Sequence, residues 1–276
     1  MNPKTVSLVL GSGGARGLAH IGVIHWLEEN GYSIKSISGC SIGALIGGVY
    51  AAGKLDEFEE WVRGISKVDI VTLLDLSWQK SGLIKGDKII NTLTEIVGDV
   101  RIEDLEIKYT AVASDILHEK EVWINNGRLF DAIRASISLP LFFTPFHYRG
   151  VDLIDGGVLN PVPIAPVFSD DTEMTVAVNL GGAMEIHEKP NEVSSLSKKF
   201  NEFVKNIKSA SSLGAYDIAN QAFDAMQSSI ARQKLAAYPA DCVIEIARNA
   251  CGTLEFNRAE EMIDLGHQKA EEFFLL

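Results

Sequence analysis

Cysteine is scarce in this sequence, and the three present, Cys40, Cys242 and Cys251, form no CxxC pair. An odd count without ligand spacing supports neither a disulfide framework nor a zinc site, and fits a reducing, cytoplasmic setting. Positive charge is also short. Against 37 Asp and Glu stand 25 Lys and Arg, leaving a formal net charge of −12. Nucleic-acid binding requires a basic surface, and electrostatic docking on anionic lipid requires the same, so both are argued against. Any membrane contact is expected to be apolar, local and transient, at the periphery. No apolar run is long enough to cross a bilayer. The first residues, Met1 to Thr5, run straight into strand-like Val6–Leu10 without the charged start, apolar middle and cleavage site of a secretion signal. No D-x-[DN]-x-[DN]-G calcium loop occurs.

What is present is an ordinary globular composition. Of 276 residues, 46% are hydrophobic and 22% charged, enough for a large α/β core. The first half alternates short apolar strands with helices. Val6–Leu10 and Ser33–Ser38 read as strands. Ala15–Asn30 reads as a helix closed by Gly31, and Ile42–Ala52 as a small-residue helix closed by Gly53. This order predicts a parallel sheet with crossover helices. Further strands are expected at Tyr109–Ser114, Glu121–Ile124, Leu153–Asp155, Thr175–Leu180 and Cys242–Ile246. Helices are expected at Asp87–Val97, Arg128–Ile137 and Arg258–Phe274. Gly181–Ser197 reads as a polar loop. From Ser197 to Ala237 the pattern is helical, with Phe200, Phe203, Val204 and Ile207 on one face and Ile218, Ala222, Met226 and Ile230 on another. One domain over residues 1–276 is the simplest organisation, with a core of about 6–180 and a helical C-terminal region of about 197–276.

Gly39-Cys40-Ser41-Ile42-Gly43 fits G-x-S-x-G between a strand and a helix. Glycines flank such a serine because the sharp turn leaves no room for side chains. The helix N-terminus behind it favours developing negative charge. A tight turn with a capping serine is the bland alternative. The segment Gly11-Ser-Gly-Gly-Ala-Arg-Gly17 lies between the first strand and its helix. It fits a dinucleotide fingerprint poorly, because Arg16 falls where the third glycine belongs and no acidic residue ends the next strand. An oxyanion hole fits better, with the Gly13 and Gly14 amides as donors. A serine nucleophile needs a base. None of the six histidines, His20, His25, His118, His147, His187 and His267, has a convincing catalytic frame. Asp155 has one: it ends a strand-like run and precedes Gly156-Gly157. Its bland alternative is a turn aspartate bonded to its own backbone. Leu139–Phe146 is the most apolar stretch and reads as buried core, with an acyl-pocket wall as the other reading. Phe273–Leu276 reads as a docked helix end or an exposed apolar tip. Cys40 reads as packing.

The glycine loop at 11–17, the serine motif at 39–43 and Asp155-Gly156-Gly157 follow one another in the order and spacing of the patatin-like phospholipases, which this chain resembles from about Val6 to Asn179. The run from Asp131 to Pro140 and Asn160-Pro-Val-Pro163 are similar to the same family, and the later helices resemble its bacterial branch. Ser12 departs from the pattern, where many members have a third consecutive glycine. The resemblance implies a three-layer α/β/α fold with a mostly parallel central sheet. It also implies a Ser41–Asp155 dyad acting on fatty-acyl esters of lipids without metal or cofactor. Arg16 matches the family's basic residue by the glycine loop, with a role in holding the loop or aiding the oxyanion. Other readings stay open: a Ser-His-Asp esterase using His187 or His267, an acyl-thioester hydrolase or transacylase, and a non-catalytic regulatory protein with a retained dyad. Headgroup, chain length and oligomeric state are not legible.

Overall fold

The computed structural model describes residues 4–73, 84–185 and 213–275. Its strands are β1 (Lys4–Leu10), β2 (Tyr32–Cys40), β3 (Lys108–Asp115), β4 (Lys120–Ile124), β5 (Phe146–Tyr148), β6 (Val151–Asp155), β7 (Met174–Gly182) and β8 (Cys242–Ala247). Its α-helices are α1 (Ala19–Glu29), α2 (Ile42–Ala51), α3 (Leu55–Arg63), α4 (Lys67–Leu73), α5 (Asp87–Val97), α6 (Leu129–Ser136), α7 (Leu213–Ala237) and α8 (Ala259–Leu275).

Strand β1 lies between β7 and β2 and is buried from Val6 to Leu10, so it is covered on both faces. Val6, Leu8 and Leu10 enter the main core with Ile21, Ile24 and Leu27 of α1 and Ile46 of α2. Val9, one residue out of phase, enters a second cluster with Val162, Ile164, Val167, Ala177 and Ala231 of α7. Helical layers therefore cover both faces, and the fold is α/β/α.

Strands β8, β7, β1, β2 and β3 pair in that order, all parallel. The sheet is not parallel throughout. β4 returns antiparallel beside β3 after a short turn, as a hairpin must. β6 is also antiparallel to β3, pairing Asp155 with Ala113. β4 already occupies one edge of β3 at Ala111 and Ala113, so β2 and β6 share the other edge. β2 ends at Cys40 opposite Val112, and β6 takes over at the next residue. The end of β2 and the end of β6 are thus brought head to head.

The seven expected strands are all present. The three-residue β5, paired with β6, was too short to give a period. So were α3 and α4, although Leu55, Phe58 and Val62 of α3 are buried at helical spacing. The first expected helix begins as a 3-10 turn, Gly14–Leu18, before α1. Gly31 and Gly53 both take left-handed φ, 75° and 67°, as helix-closing glycines do. α8 crosses α1 at backbone contact: a Cβ on Gly22 would lie 1.9 Å from the Ile263 carbonyl, and one on Gly266 1.9 Å from that of Ala19.

In α7 the apolar stripe is not the buried face. Met226 is 56% exposed and Ala222 is exposed, while Gln227, Ser228 and Ala231 are buried. The helix docks through small and polar side chains: Gln227 lies against Ser12 and Gly157, Ser228 against Gly181, and Ala231 in the Val9 cluster. The stretch 186–212, with Phe200, Phe203, Val204, Ile207 and most of the expected polar loop, and the side chain of Ile218 lie outside the described residues. Among the described residues no helix is long and apolar enough to cross a membrane.

Candidate active site

The turn after β2 carries Ser41 at φ 55°, ψ −124°. A non-glycine residue there is strained, by about 1–3 kcal/mol, and holds only where its surroundings force it. They do so through the two motif glycines. A Cβ on Gly39 would meet the Gly43 carbonyl at 2.4 Å, and one on Gly43 the Leu10 carbonyl at 2.1 Å. Only glycine lets α2 start this close to β1 and β2. The Ser41 amide donates to Ser136 Oγ at 2.8 Å. The Ser41 carbonyl accepts from the Ala44 and Leu45 amides, opening α2.

Ser41 Oγ donates to Asp155 Oδ2 at 2.5 Å. Asp155 is fully buried. Its other oxygen accepts the Gly157 amide at 2.7 Å, and Cys40 Sγ lies 3.9 Å away. Burial raises the Asp155 carboxyl to about 6, and the hydrogen bonds from Ser41, Gly157 and Cys40 pull the other way. The aspartate makes the turn bond of the bland reading and holds the serine hydroxyl as well. Gly156 is required because a Cβ there would lie 2.1 Å from the Val112 carbonyl.

The glycine loop is tied down around its centre. The Gly11 amide donates to Val178 O, that of Ser12 to Pro161 O, and that of Ala15 to Thr253 O. His20 Nε2 donates to the Gly11 carbonyl at 2.9 Å. The amides of Gly13 and Gly14 have no protein acceptor among the described residues. Gly14 has φ 59°. Gly17 touches the start of α2: a Cβ there would lie 2.2 Å from Ile42 Cγ2. Ser12 fits because its Oγ accepts from Gln227 Nε2 of α7 at 3.2 Å. Arg16 is buried and turned into the protein, donating to Cys251 O and to Asp224 of α7, both at 3.3 Å. Of its two expected roles, this geometry supports holding the loop.

Each described histidine is engaged elsewhere. His20 is buried, and desolvation lowers it to about 4, so it stays neutral. His25 pairs with Glu59, His118 with Asp115, His147 with Asp152 and His267 with Glu29. His187 lies outside the described residues. Cys40 is buried, and burial together with the charge of Asp155 holds its thiol well above the ordinary range.

The expectation of buried core at Leu139–Phe146 is corrected. Only Phe142 is buried, and Leu141 is 64% exposed with φ 71°. The stretch is a connection from α6 to β5, pinned at its start where Ser138 O accepts the Asp155 amide at 3.0 Å. Arg134 lies under it, stacked on Phe143 and Phe146 and donating to Ser138 and Thr144. At the C-terminus Phe274 stacks on Trp26 at 4.7 Å, whereas Leu275 is 71% exposed, so the end is part docked and part open. Sequence reasoning assigned no role to Ser136, Asp224 or Gln227. Asp224 and Gln227 carry no local signal, because their partners are over 200 residues away.

Against known proteins, residues 8–168 match the sequence model of the patatin-like phospholipases. An uncharacterized NTE family protein of Mycobacterium tuberculosis is 37% identical over 96% of this chain and 90% of its own length. The chain belongs to the patatin-like phospholipase family. Two relatives with named activities are larger proteins. Lysophospholipase NTE1 of Saccharomyces cerevisiae is 31% identical over 66% of this chain and 11% of its own. Neuropathy target esterase sws of Drosophila melanogaster is 31% identical over 74% and 15%. Among solved structures, VipD from Legionella pneumophila aligns over 99% of this chain and 67% of its own, with 14% identity and a TM-score of 0.49.

Proposed function

We propose that this protein is a serine acyl hydrolase that cleaves fatty-acyl esters of lipids, with Ser41 as nucleophile and Asp155 as its base. The observation that carries the reading is the 2.5 Å hydrogen bond from the strained Ser41 to the buried Asp155. An ordinary aspartate is a weak base for a serine hydroxyl. A carboxyl raised to about 6 is a stronger one, and it is still ionised at neutral pH.

Ser41 Oγ attacks the ester carbonyl as its proton passes to Asp155. The Gly13 and Gly14 amides receive the oxyanion, and Arg16 holds their loop. Collapse expels the alcohol, which takes the proton from Asp155 and leaves an acyl-Ser41. Water then attacks, giving its proton to Asp155, and the second collapse returns that proton to Ser41 as the fatty acid leaves. These steps call for no metal or cofactor.

The relatives named lysophospholipase make a lysophospholipid the first substrate to test. A cytoplasmic location with transient membrane contact, and a single domain over the chain, belong to the same proposal. The test is fatty-acid release from a panel of lysophospholipid, phospholipid, monoacylglycerol, short-chain ester and acyl-thioester substrates. Wild type should turn over at least one ester and folded Ser41→Ala none. Near-normal turnover by Ser41→Ala ends the reading, and a wild type that neither hydrolyses esters nor reacts with a fluorophosphonate is the idle, regulatory protein.

A further inference from the structure

The run from Asp131 to Pro140 is part of the family resemblance, yet the chemistry above gives it no task. The structure places the end of α6 against both members of the dyad. Ser136 is fully buried. Its Oγ accepts the Ser41 amide at 2.8 Å and donates its one proton to Val112 O of β3 at 2.6 Å. Two residues on, the Ser138 carbonyl accepts the Asp155 amide at 3.0 Å. Ser138 Oγ is held in turn by Arg134 Nη1 at 2.5 Å, and it donates to the Arg134 carbonyl. Ser41 and Asp155 are 114 residues apart and end two different strands. One short segment grips the backbone of each.

We propose that Ser136 is a positioning residue for the reaction: it pins the strained nucleophile elbow to β3 and, together with the Ser138 carbonyl, sets the Ser41–Asp155 separation. This rests on the dyad reading. Ser136 is suited to the task because a hydroxyl can accept from one backbone group and donate to another at once. The bond also commits the Ser41 amide, so the oxyanion donors must come from the glycine loop or the first turn of α2. Without it, the Ser41 amide and the Val112 carbonyl lose their partners. The elbow is then free to relax from φ 55°, drawing Oγ out of line. A misplacement of about 1 Å costs on the order of 10²-fold in rate.

The experiment compares Ser136→Ala, Ser136→Cys, Ile133→Val and Ser41→Ala with wild type on one ester. It measures kcat, KM, melting temperature and the rate of fluorophosphonate labelling per folded molecule. Ile133 is a fully buried α6 residue that bonds to neither dyad member, so its variant reports the effect of loosening the helix alone. Ser136→Ala and Ser136→Cys should both lower kcat and labelling rate by about 10–100-fold, with KM within about twofold. Ile133→Val should leave both rates near wild type. If Ser136→Ala does not fold, Ser136→Cys, which preserves volume but bonds weakly, gives the same reading. Rates within about twofold of wild type in a folded Ser136 variant, or no lower than in Ile133→Val, overturn the proposal. Ser41→Ala separates the two ideas: if it is inactive while Ser136→Ala is fully active, only the positioning role fails, and if it stays active the dyad fails first.

Discussion

Replacing Asp155 by asparagine should destroy activity and strengthen the fold. The carboxyl rises from 3.8 to about 6 because burial disfavours its charge more than three hydrogen bonds favour it. At about 1.4 kcal/mol per pH unit, holding it ionised costs the folded state about 3 kcal/mol. The sign follows from proton binding. Between pH 3.8 and about 6 the folded carboxyl keeps a proton that the unfolded one has lost. The stabilising contribution of the neutral acid is complete below 3.8 and is lost as pH rises through about 6. The carboxamide of Asp155→Asn would carry no charge, could still accept from the Gly157 amide, and could donate to Ser41 Oγ. At about pH 8 the variant should therefore match or exceed wild type in urea, by up to about 3 kcal/mol, and the gain should vanish towards pH 4. The same ionisation should govern catalysis, since only the carboxylate takes the Ser41 proton. With a neutral ester, kcat/KM should fall tenfold per pH unit below an acid limb near 6. A limb near 4, with Asp155→Asn less stable than wild type by about 2 kcal/mol or more at about pH 8, would refute the argument that burial tunes this group.

The glycine loop yields a second test. A side chain at Gly13 would collide with Leu180, and at Gly14 with the Thr253 carbonyl at 2.6 Å. Gly13→Val or Gly14→Val should lower kcat, by about 2.7–4 kcal/mol for each amide that the collision moves out of reach of the oxyanion, with a smaller effect on KM, as ester kinetics would show. An effect confined to KM would mean that the loop binds substrate only. Gly22→Ala should lower the denaturation midpoint by more than an ordinary overpacking change of about 1–3 kcal/mol, because the added methyl meets backbone and cannot be relieved by a rotamer. Cys40→Ala should keep substantial activity, and Cys40 should resist alkylation at neutral pH in the folded protein, since its buried thiol stays protonated; rapid labelling measured by mass spectrometry would contradict that.

Legibility followed the range of the interactions. The alternation of β1, α1, β2 and α2 was readable because both strands are short apolar runs and both helices are closed by a glycine. The crowded glycines at 39 and 43 announced the elbow, since their cause lies within a few residues of chain. Asp155 stands out as a strand-ending acid before two glycines. That β2 and β6 meet end to end on one edge of β3 was not readable, because strand pairing at this distance leaves no local mark. Polarity misled where it replaced a periodic core. The buried side of α7 is Gln227, Ser228 and Ala231, which meet Ser12, Gly181 and the Val9 cluster, so the apolar stripe through Met226 points the wrong way. Leu139–Phe146 misled oppositely: its hydrophobicity suggested core, but its start is fixed to Asp155 and its aromatic rings rest on Arg134, leaving Leu141 in the open.

The central claim is that Ser41 works with Asp155 and with no histidine. The direct measurement is the hydrolysis of one short-chain nitrophenyl ester by Ser41→Ala, Asp155→Asn, the double variant, His187→Ala and His267→Ala, each shown to be folded. Groups that act as a unit are not additive, so the two single dyad variants and the double one should be about equally inactive. The histidine variants should keep near-normal kcat/KM, His267 because its ring is engaged with Glu29. A histidine variant as damaged as Asp155→Asn, or an Asp155→Asn that still turns over, would contradict the dyad and favour a Ser-His-Asp arrangement.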